Sequence, residues 1–486
     1  MRYSPLLTDL YELTMLAGYL EEGMTDTPAV FDLFFRHNPF QGGYAVFAGL
    51  EPALSYLENL RFNDEELGYL QGMGIFRPRF LEFLREFRFR GTVIAPPEGT
   101  LVFANEPLLT VEGTLAEAQF VETALLNIIN FQTLVATKAT RIVHAAGNGT
   151  VLEFGLRRSQ GPDGGLSEAR AAAVGGVTST SNVLAGMTYG LPVRGTHAHS
   201  WIMAFPDELS AFRAYAEVFP DRSTLLVDTY DTLASGLPNA ITVGRELRSR
   251  GHELAGIRID SGDLAWLSRE ARRMLDEAGF PAVKIVASNE LDEHVIESIR
   301  SEGGCVDIYG VGTRLAVCDG EGGGALGGVY KLVQIGDSPR LKVTSDVAKA
   351  TLPGRKRLIR AVSPNGSFIQ DVISLSTEAI CAGDTVFDPA NPLQQKQLPG
   401  SAICSDLRSM VMEGGIRRIP IEPLESMAIR CHTQLALLPQ GCLRFINPHR
   451  YKVSITRGLL DLRLGLIEGL RSACQKHDIR TNADEQ

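Results

Sequence analysis

Residues 254–279 read LAGIRIDSGDLAWLSREARRMLDEAG. A short apolar run, Leu254–Asp260, passes through Ser261-Gly262-Asp263 into a segment whose apolar residues recur at helical spacing. A strand followed at once by a helix is half of a βαβ unit. The arrangement recurs at VLEFG (151–155), LPVRG (191–195), TLLVD (224–228), AVKIVAS (282–288) and VDIYG (306–310). Each run is followed by polar or glycine-rich residues, and most then by helix-like sequence. This pattern predicts an α/β fold with parallel strands. So many units in one block favour an α/β barrel, complete or irregular, over a doubly wound sheet. Both architectures gather ligand-binding groups at the carboxyl ends of the strands.

The flanks read differently. Leu6–Glu22 is expected to be a helix stopped by Gly23, and residues 44–90 mainly helical. Residues 91–113 alternate short apolar runs with Pro-Pro, Glu-Gly and Asn-Glu-Pro turns, a small antiparallel β unit, and residues 114–146 form a long buried helix. Beyond Lys331, YKLVQIGDSPRLKVTSD and GRKRLIRAVSPNGSFIQDVISL read as hairpins about Gly-Asp and Pro-Asn-Gly turns. Helices follow to about residue 477, and the last residues, TNADEQ, are expected to fray. The expected divisions are 1–146 (helices and β unit), 147–335 (barrel) and 336–486 (β-rich return with terminal helices). Both flanks carry short strands and could join into one discontinuous domain.

Composition narrows the function. The 486 residues carry a net charge of −10 and no long basic run, which argues against a nucleic-acid surface. A local arginine cluster could still hold a small phosphate. The N-terminal apolar stretch is broken by Asp9 and Glu12, so a secretory signal is not expected, and no run is long enough to span a membrane. The seven cysteines all follow residue 304 and form no CxxC pair, as expected of reduced thiols in a cytoplasmic protein.

The residues after each run carry the chemistry: Leu156-Arg157-Arg158, Thr196-His197-Ala198-His199, Thr229-Tyr230-Asp231, Asp260-Ser261-Gly262-Asp263, Ser288-Asn289 and Gly310-Val311-Gly312-Thr313. Arginines and glycine-rich turns at strand ends suit a phosphorylated substrate. Asp260 and Asp263 could hold Mg²⁺ with a pyrophosphate, and Asp263 could equally cap the helix that follows. The His197/His199 pair could mark a zinc hydrolase, but the remaining histidines follow no strand end and supply no further ligands. A histidine beside a phosphate loop otherwise serves in proton transfer or accepts a phosphoryl group.

LLTDLYELTM, LEFGLRRSQGPDGG, TSNVLAG, GTHAHSW, LLVDTYDTL, GIRIDSGDLA, ASNELDEHVI, YGVGTRL, GGVYKLV and FINPHRY occur in this order. With these motifs the chain resembles the nicotinate phosphoribosyltransferase family over nearly its whole length. The resemblance implies an irregular α/β barrel of the type II phosphoribosyltransferase kind, with a β-rich domain built from both chain ends. It implies transfer of phosphoribosyl from 5-phosphoribosyl-1-pyrophosphate to nicotinate, driven by ATP through a phosphohistidine at His199, with Mg²⁺. The pyridine ring would lie between Phe154 and Tyr11, the latter from a second protomer of a homodimer. Without the resemblance Tyr11 reads as a core aromatic. Arg258 and Thr196 resemble the groups that recognise the nicotinate carboxylate, and Arg157 the arginine near the ring and pyrophosphate. Asn289, Gly310, Gly312 and Thr313 would line the 5-phosphate. Asp260 would take the ribose hydroxyls or the metal, with Asp231 a weaker candidate. His197 is given no role and is read as simply exposed. Asn182 stands where nicotinamide-using relatives carry an aspartate, which favours the acid over the amide. Quinolinate-using relatives are much shorter. Alternatives left open are nicotinamide phosphoribosyl transfer, a zinc hydrolase and a catalytically silent binding protein.

Overall fold

A computed structural model describes residues 3–342 and 351–484, with side chains to residue 472. The end of the hairpin expected beyond Lys331 falls at 343–346, outside the described residues, as do the last two residues of TNADEQ. The chain divides into two compact units. One comprises residues 134–325 with 424–431, the other residues 1–133, 326–423 and 432–486. The first division falls inside the helix Glu122–Ala146.

The first of these units is built on six parallel strands: β1 (Thr150–Glu153), β2 (Ser179–Thr180), β3 (Thr224–Leu226), β4 (Gly256–Ile259), β5 (Lys284–Ser288) and β6 (Ile308–Val311). Their order is β2-β1-β6-β5-β4-β3. Helices Gly161–Val174, Leu237–Ser249, Leu264–Glu277 and Glu293–Ser301 intervene along the chain. In β4 the two-residue alternation of a strand decides what faces where. Ile257 and Ile259 are buried against Phe212, Leu225, Leu275 and Phe280. Each such side chain contributes roughly 1.5–3 kcal/mol by leaving water. Arg258, between them, turns to the opposite face. The following helix buries a stripe of Leu267, Ala271 and Leu275, the spacing of an amphipathic helix.

LPVRG does not become a regular strand. Only Val193 bridges Thr180, in parallel register, while Thr180 donates its N–H to the Pro192 carbonyl and accepts from the Arg194 N–H. Pro192 has no N–H with which to extend a ladder. A few residues on, His197 Nε2 accepts from the N–H of Leu226 in β3, at 3.3 Å. Residues 192–197 therefore bridge the two edge strands and close an irregular barrel. His197 is 7% exposed and packs edge-on against Tyr215, which corrects the expectation that it is exposed. Burial pushes its pKa down to about 4 from an ordinary 6.5. An unfolded chain binds a proton here that the folded chain refuses, so stability is lost as pH falls through that interval. The expected result is an acid-side loss of up to about 3 kcal/mol that His197→Gln removes. Denaturant titrations of both proteins across that interval measure it.

The second unit is β-rich and draws on both chain ends. Pro28–Phe35 pairs with Gly328–Ile335 on one side and Leu109–Thr114 on the other, all antiparallel. A second sheet contains the hairpin Lys356–Val362 with Phe368–Leu375, turning about Pro364-Asn365-Gly366 as expected. The N-terminal helix runs Leu10–Glu21, later than its expected start. The long helix expected over 114–146 is two, Leu115–Phe120 and Glu122–Ala146. Among the described residues no helix is long and apolar enough to cross a membrane.

Candidate active site

The carboxyl ends of β3, β4 and β5, with the closing segment, converge on one hydrogen-bonded group. Arg258 projects from β4 on the face opposite Ile257 and Ile259. Its Nε donates to Ser288 Oγ at 2.8 Å, Nη1 to Thr196 Oγ1 at 3.2 Å and Nη2 to Asp260 Oδ1 at 2.8 Å. Ser288 Oγ also donates to Asp260 Oδ1. The guanidinium carbon stands 5.6 Å from the centre of the Phe154 ring. Phe154 lies just past β1, its N–H held by the Val311 carbonyl at 2.7 Å. Its ring needs a glycine opposite: a Cβ on Gly310 would come within 2.7 Å of ring atoms. Gly312 is similarly close, its Cβ position 3.1 Å from the Phe154 carbonyl oxygen.

Asp228 organises the neighbouring edge. Its Oδ1 lies 3.2 Å from His199 Nε2. Its Oδ2 accepts from the Asp260 N–H at 2.8 Å and from Ser261 Oγ at 2.6 Å. The carboxylate is 1% exposed and His199 40%, so a buried acid orients an accessible imidazole. Asp228 and Ser288 close the runs LLVD and AVKIVAS. Ser288 is among the strand-end residues singled out from sequence without a specific role, and Asp228 is not among them. The signal was present: each is the last polar residue of an apolar run, the position from which a strand end faces a ligand.

The other expected residues divide. Arg157 and Asn289 are exposed, the latter with φ 88°. Thr313 Oγ1 donates to Glu290 Oε1 at 3.2 Å, and Arg314 Nε lies 3.3 Å from Glu290 Oε2, so an acid meets the groups expected to hold a phosphate. Asp263 accepts from the Trp266 N–H at 2.9 Å and Asp231 from the N–H groups of Leu233 and Ala234. Both are helix caps. Asn182 caps Val183–Tyr189 through its Oδ1 and donates Nδ2 to the Gly165 carbonyl, so both ends of its amide are engaged within the protein. Tyr11 sits on the N-terminal helix of the β-rich unit and is 45% exposed, which sets aside the core-aromatic alternative.

Among the described residues no three His, Cys, Asp or Glu side chains cluster as a metal site. Mg²⁺ does not require one, since it commonly takes one or two carboxylates together with water and substrate phosphates. Both bonds to Asp260 fall on Oδ1, which leaves Oδ2 open and makes Asp260 a fitting single ligand.

A parallel barrel with arginine, carboxylates, histidine and glycine turns at its strand ends, in a chain that also builds a discontinuous β-rich domain, defines the type II phosphoribosyltransferase class. The fold matches the crystal structure of human nicotinic acid phosphoribosyltransferase with a TM-score of 0.85 and 33% identity, over 94% of this chain and 99% of that one. The nicotinate phosphoribosyltransferase N-terminal domain matches residues 6–130, the family's own model residues 150–319 and its C-terminal domain residues 355–463. The nicotinate phosphoribosyltransferase of Bacillus subtilis is 42% identical over 97% of this chain and 96% of its own length. The Homo sapiens protein of that name is 36% identical over 96% and 97%. The chain belongs to the nicotinate phosphoribosyltransferase family.

Proposed function

We propose that this enzyme transfers phosphoribosyl from 5-phosphoribosyl-1-pyrophosphate to nicotinate, coupled to ATP through a phosphohistidine at His199. The observation that carries the reading is Arg258, a partly buried cation bonded to Thr196 and facing Phe154. A flat pyridine stacked on Phe154 would present its carboxylate to that guanidinium. The ring nitrogen attacks the anomeric carbon, an N–C bond forms, and the C–O bond to pyrophosphate breaks. Arg157 and Asp260 supply charge and orientation on the phosphoribosyl side, while Asn289, Gly310, Gly312 and Thr313 receive the 5-phosphate once Glu290 moves aside. Mg²⁺, when bound, would offset charge on the pyrophosphate, with Asp260 as its protein ligand and Asp263 left to its cap.

His199 is placed for phosphoryl transfer by Asp228. With Nε2–H donated to that carboxylate, Nδ1 keeps the lone pair that attacks the γ-phosphorus of ATP, and ADP leaves. Exposed Tyr11 supports its assignment as the second face of the pyridine clamp, contributed by the partner in a homodimer. The family membership supports the reading of an enzyme of NAD synthesis.

The test is mononucleotide formation from phosphoribosyl pyrophosphate with nicotinate or nicotinamide, each with and without MgATP. Product from nicotinate, raised by ATP, is expected. Product from nicotinamide alone would move the protein to the sister activity, and no product from either would overturn the reading. Gly310→Ala is expected to push the Phe154 ring out of place and raise the KM for nicotinate roughly tenfold, a misplacement cost. Initial rates at varied nicotinate check it.

A further inference from the structure

Behind Phe154 lie two buried acids that the reaction does not use. Glu153 and Glu168 are 1% and 0% exposed. Glu153 accepts from the Gly155 N–H through Oε1 and from Thr180 Oγ1 through Oε2. Glu168, on the helix Gly161–Val174, accepts from Ser159 Oγ through Oε2 at 2.9 Å. Its Oε1 is buried and meets no donor. The two Oε1 atoms converge above Gly155: a Cβ there would stand 2.8 Å from that of Glu168 and 3.1 Å from that of Glu153. The pair thus grips both ends of the Gly155–Ser159 turn, together with the end of β2. That turn carries Arg157, and Phe154 enters it.

We infer that Glu168 is a positioning residue for the transfer reaction, a neutral carboxylic acid that donates its proton in a hydrogen bond to Glu153 and so fixes the turn presenting Phe154 and Arg157. Two acids this close and this buried cannot both ionise. One shared proton removes the repulsion and supplies the donor that the bonding pattern lacks. Burial, and then the charge of Glu153, hold the Glu168 carboxyl well above the usual range. The acid oxygen without a donor is the one expected to carry the proton. The bonds to Gly155, Ser159 and Thr180 are spent within the protein, so neither acid is a catalytic residue. The inference rests on the assignment of Phe154 and Arg157 to the substrates.

Two measurements on the full-length protein test it. At about pH 8, well above the ordinary carboxyl range, the infrared difference between wild type and Glu168→Gln should show one protonated carboxyl lost. Glutamine keeps both contacts, accepting from Ser159 and donating to Glu153. Kinetically, Glu168→Ala should raise the KM for nicotinate and phosphoribosyl pyrophosphate about tenfold with kcat within about threefold, and Glu168→Gln should restore both to within about twofold. No lost carboxyl band, or a glutamine variant as impaired as alanine, would overturn the inference. Should the alanine variant not fold, Glu168→Asp replaces it, since the shorter acid cannot span Ser159 and Glu153 together. Absence of mononucleotide product from wild type would instead break the functional reading, and the infrared result would stand apart from it.

Discussion

His199→Ala is expected to abolish stimulation by ATP and to lower nicotinate mononucleotide formation roughly a hundredfold under MgATP, the scale of a lost nucleophile or proton-transfer group. The fold should survive. His199 is 40% exposed, and Asp228 keeps its bonds to the Asp260 N–H and Ser261 Oγ. Loss of one partner from that carboxylate should cost about 1 kcal/mol. Steady-state assays with and without ATP, together with thermal unfolding, separate the two effects. A variant that kept full ATP stimulation would remove His199 from the mechanism.

Arg258→Ala should fall nearly as far, for a different reason. The substitution removes the cation facing Phe154 and leaves Ser288, Thr196 and Asp260 without their common donor. Charge-assisted bonds of this kind are worth roughly 1.5–3 kcal/mol each, so a loss of about a hundredfold in kcat/KM for nicotinate is expected. Hydrolysis of ATP without nicotinate should change far less, because His199 is held by Asp228 and not by Arg258. Arg258→Lys should rescue little, since an ammonium cannot reproduce three donors in a planar fork. Equal losses in both assays would make Arg258 a structural residue.

The barrel was legible because its strands are buried on both faces and read as apolar runs, each ending in polar residues. The exceptions are the edge elements. Ser179–Thr180 is two polar residues long and carries no apolar signal, while LPVRG has the signal but a proline where a ladder N–H would be needed. The candidate site was legible as residue types at strand ends, but not as a set of bonds. Asp263 offered two readings because the same Asp before a helix can cap or coordinate, and the Trp266 N–H at 2.9 Å occupies it. Asp228 drew no role because it reads as the end of the apolar run LLVD, whereas the strand stops at Leu226 and Asp228 already lies beyond it with the site residues. His197 and His199, two apart, would share a face in a continuing strand. A helix begins at His199, so one ring is buried on the barrel seam and the other is presented outward. Alternation predicts side-chain direction only while the strand continues.

The most direct measurement is the identity of the phosphorylated residue. Wild-type protein incubated with MgATP labelled at the γ-phosphate, quenched in alkali and digested, should carry an acid-labile phosphate on the peptide containing His199. His199→Ala should carry none. Label on another residue, or ATP-stimulated product formation with no phosphoprotein at all, would contradict the account.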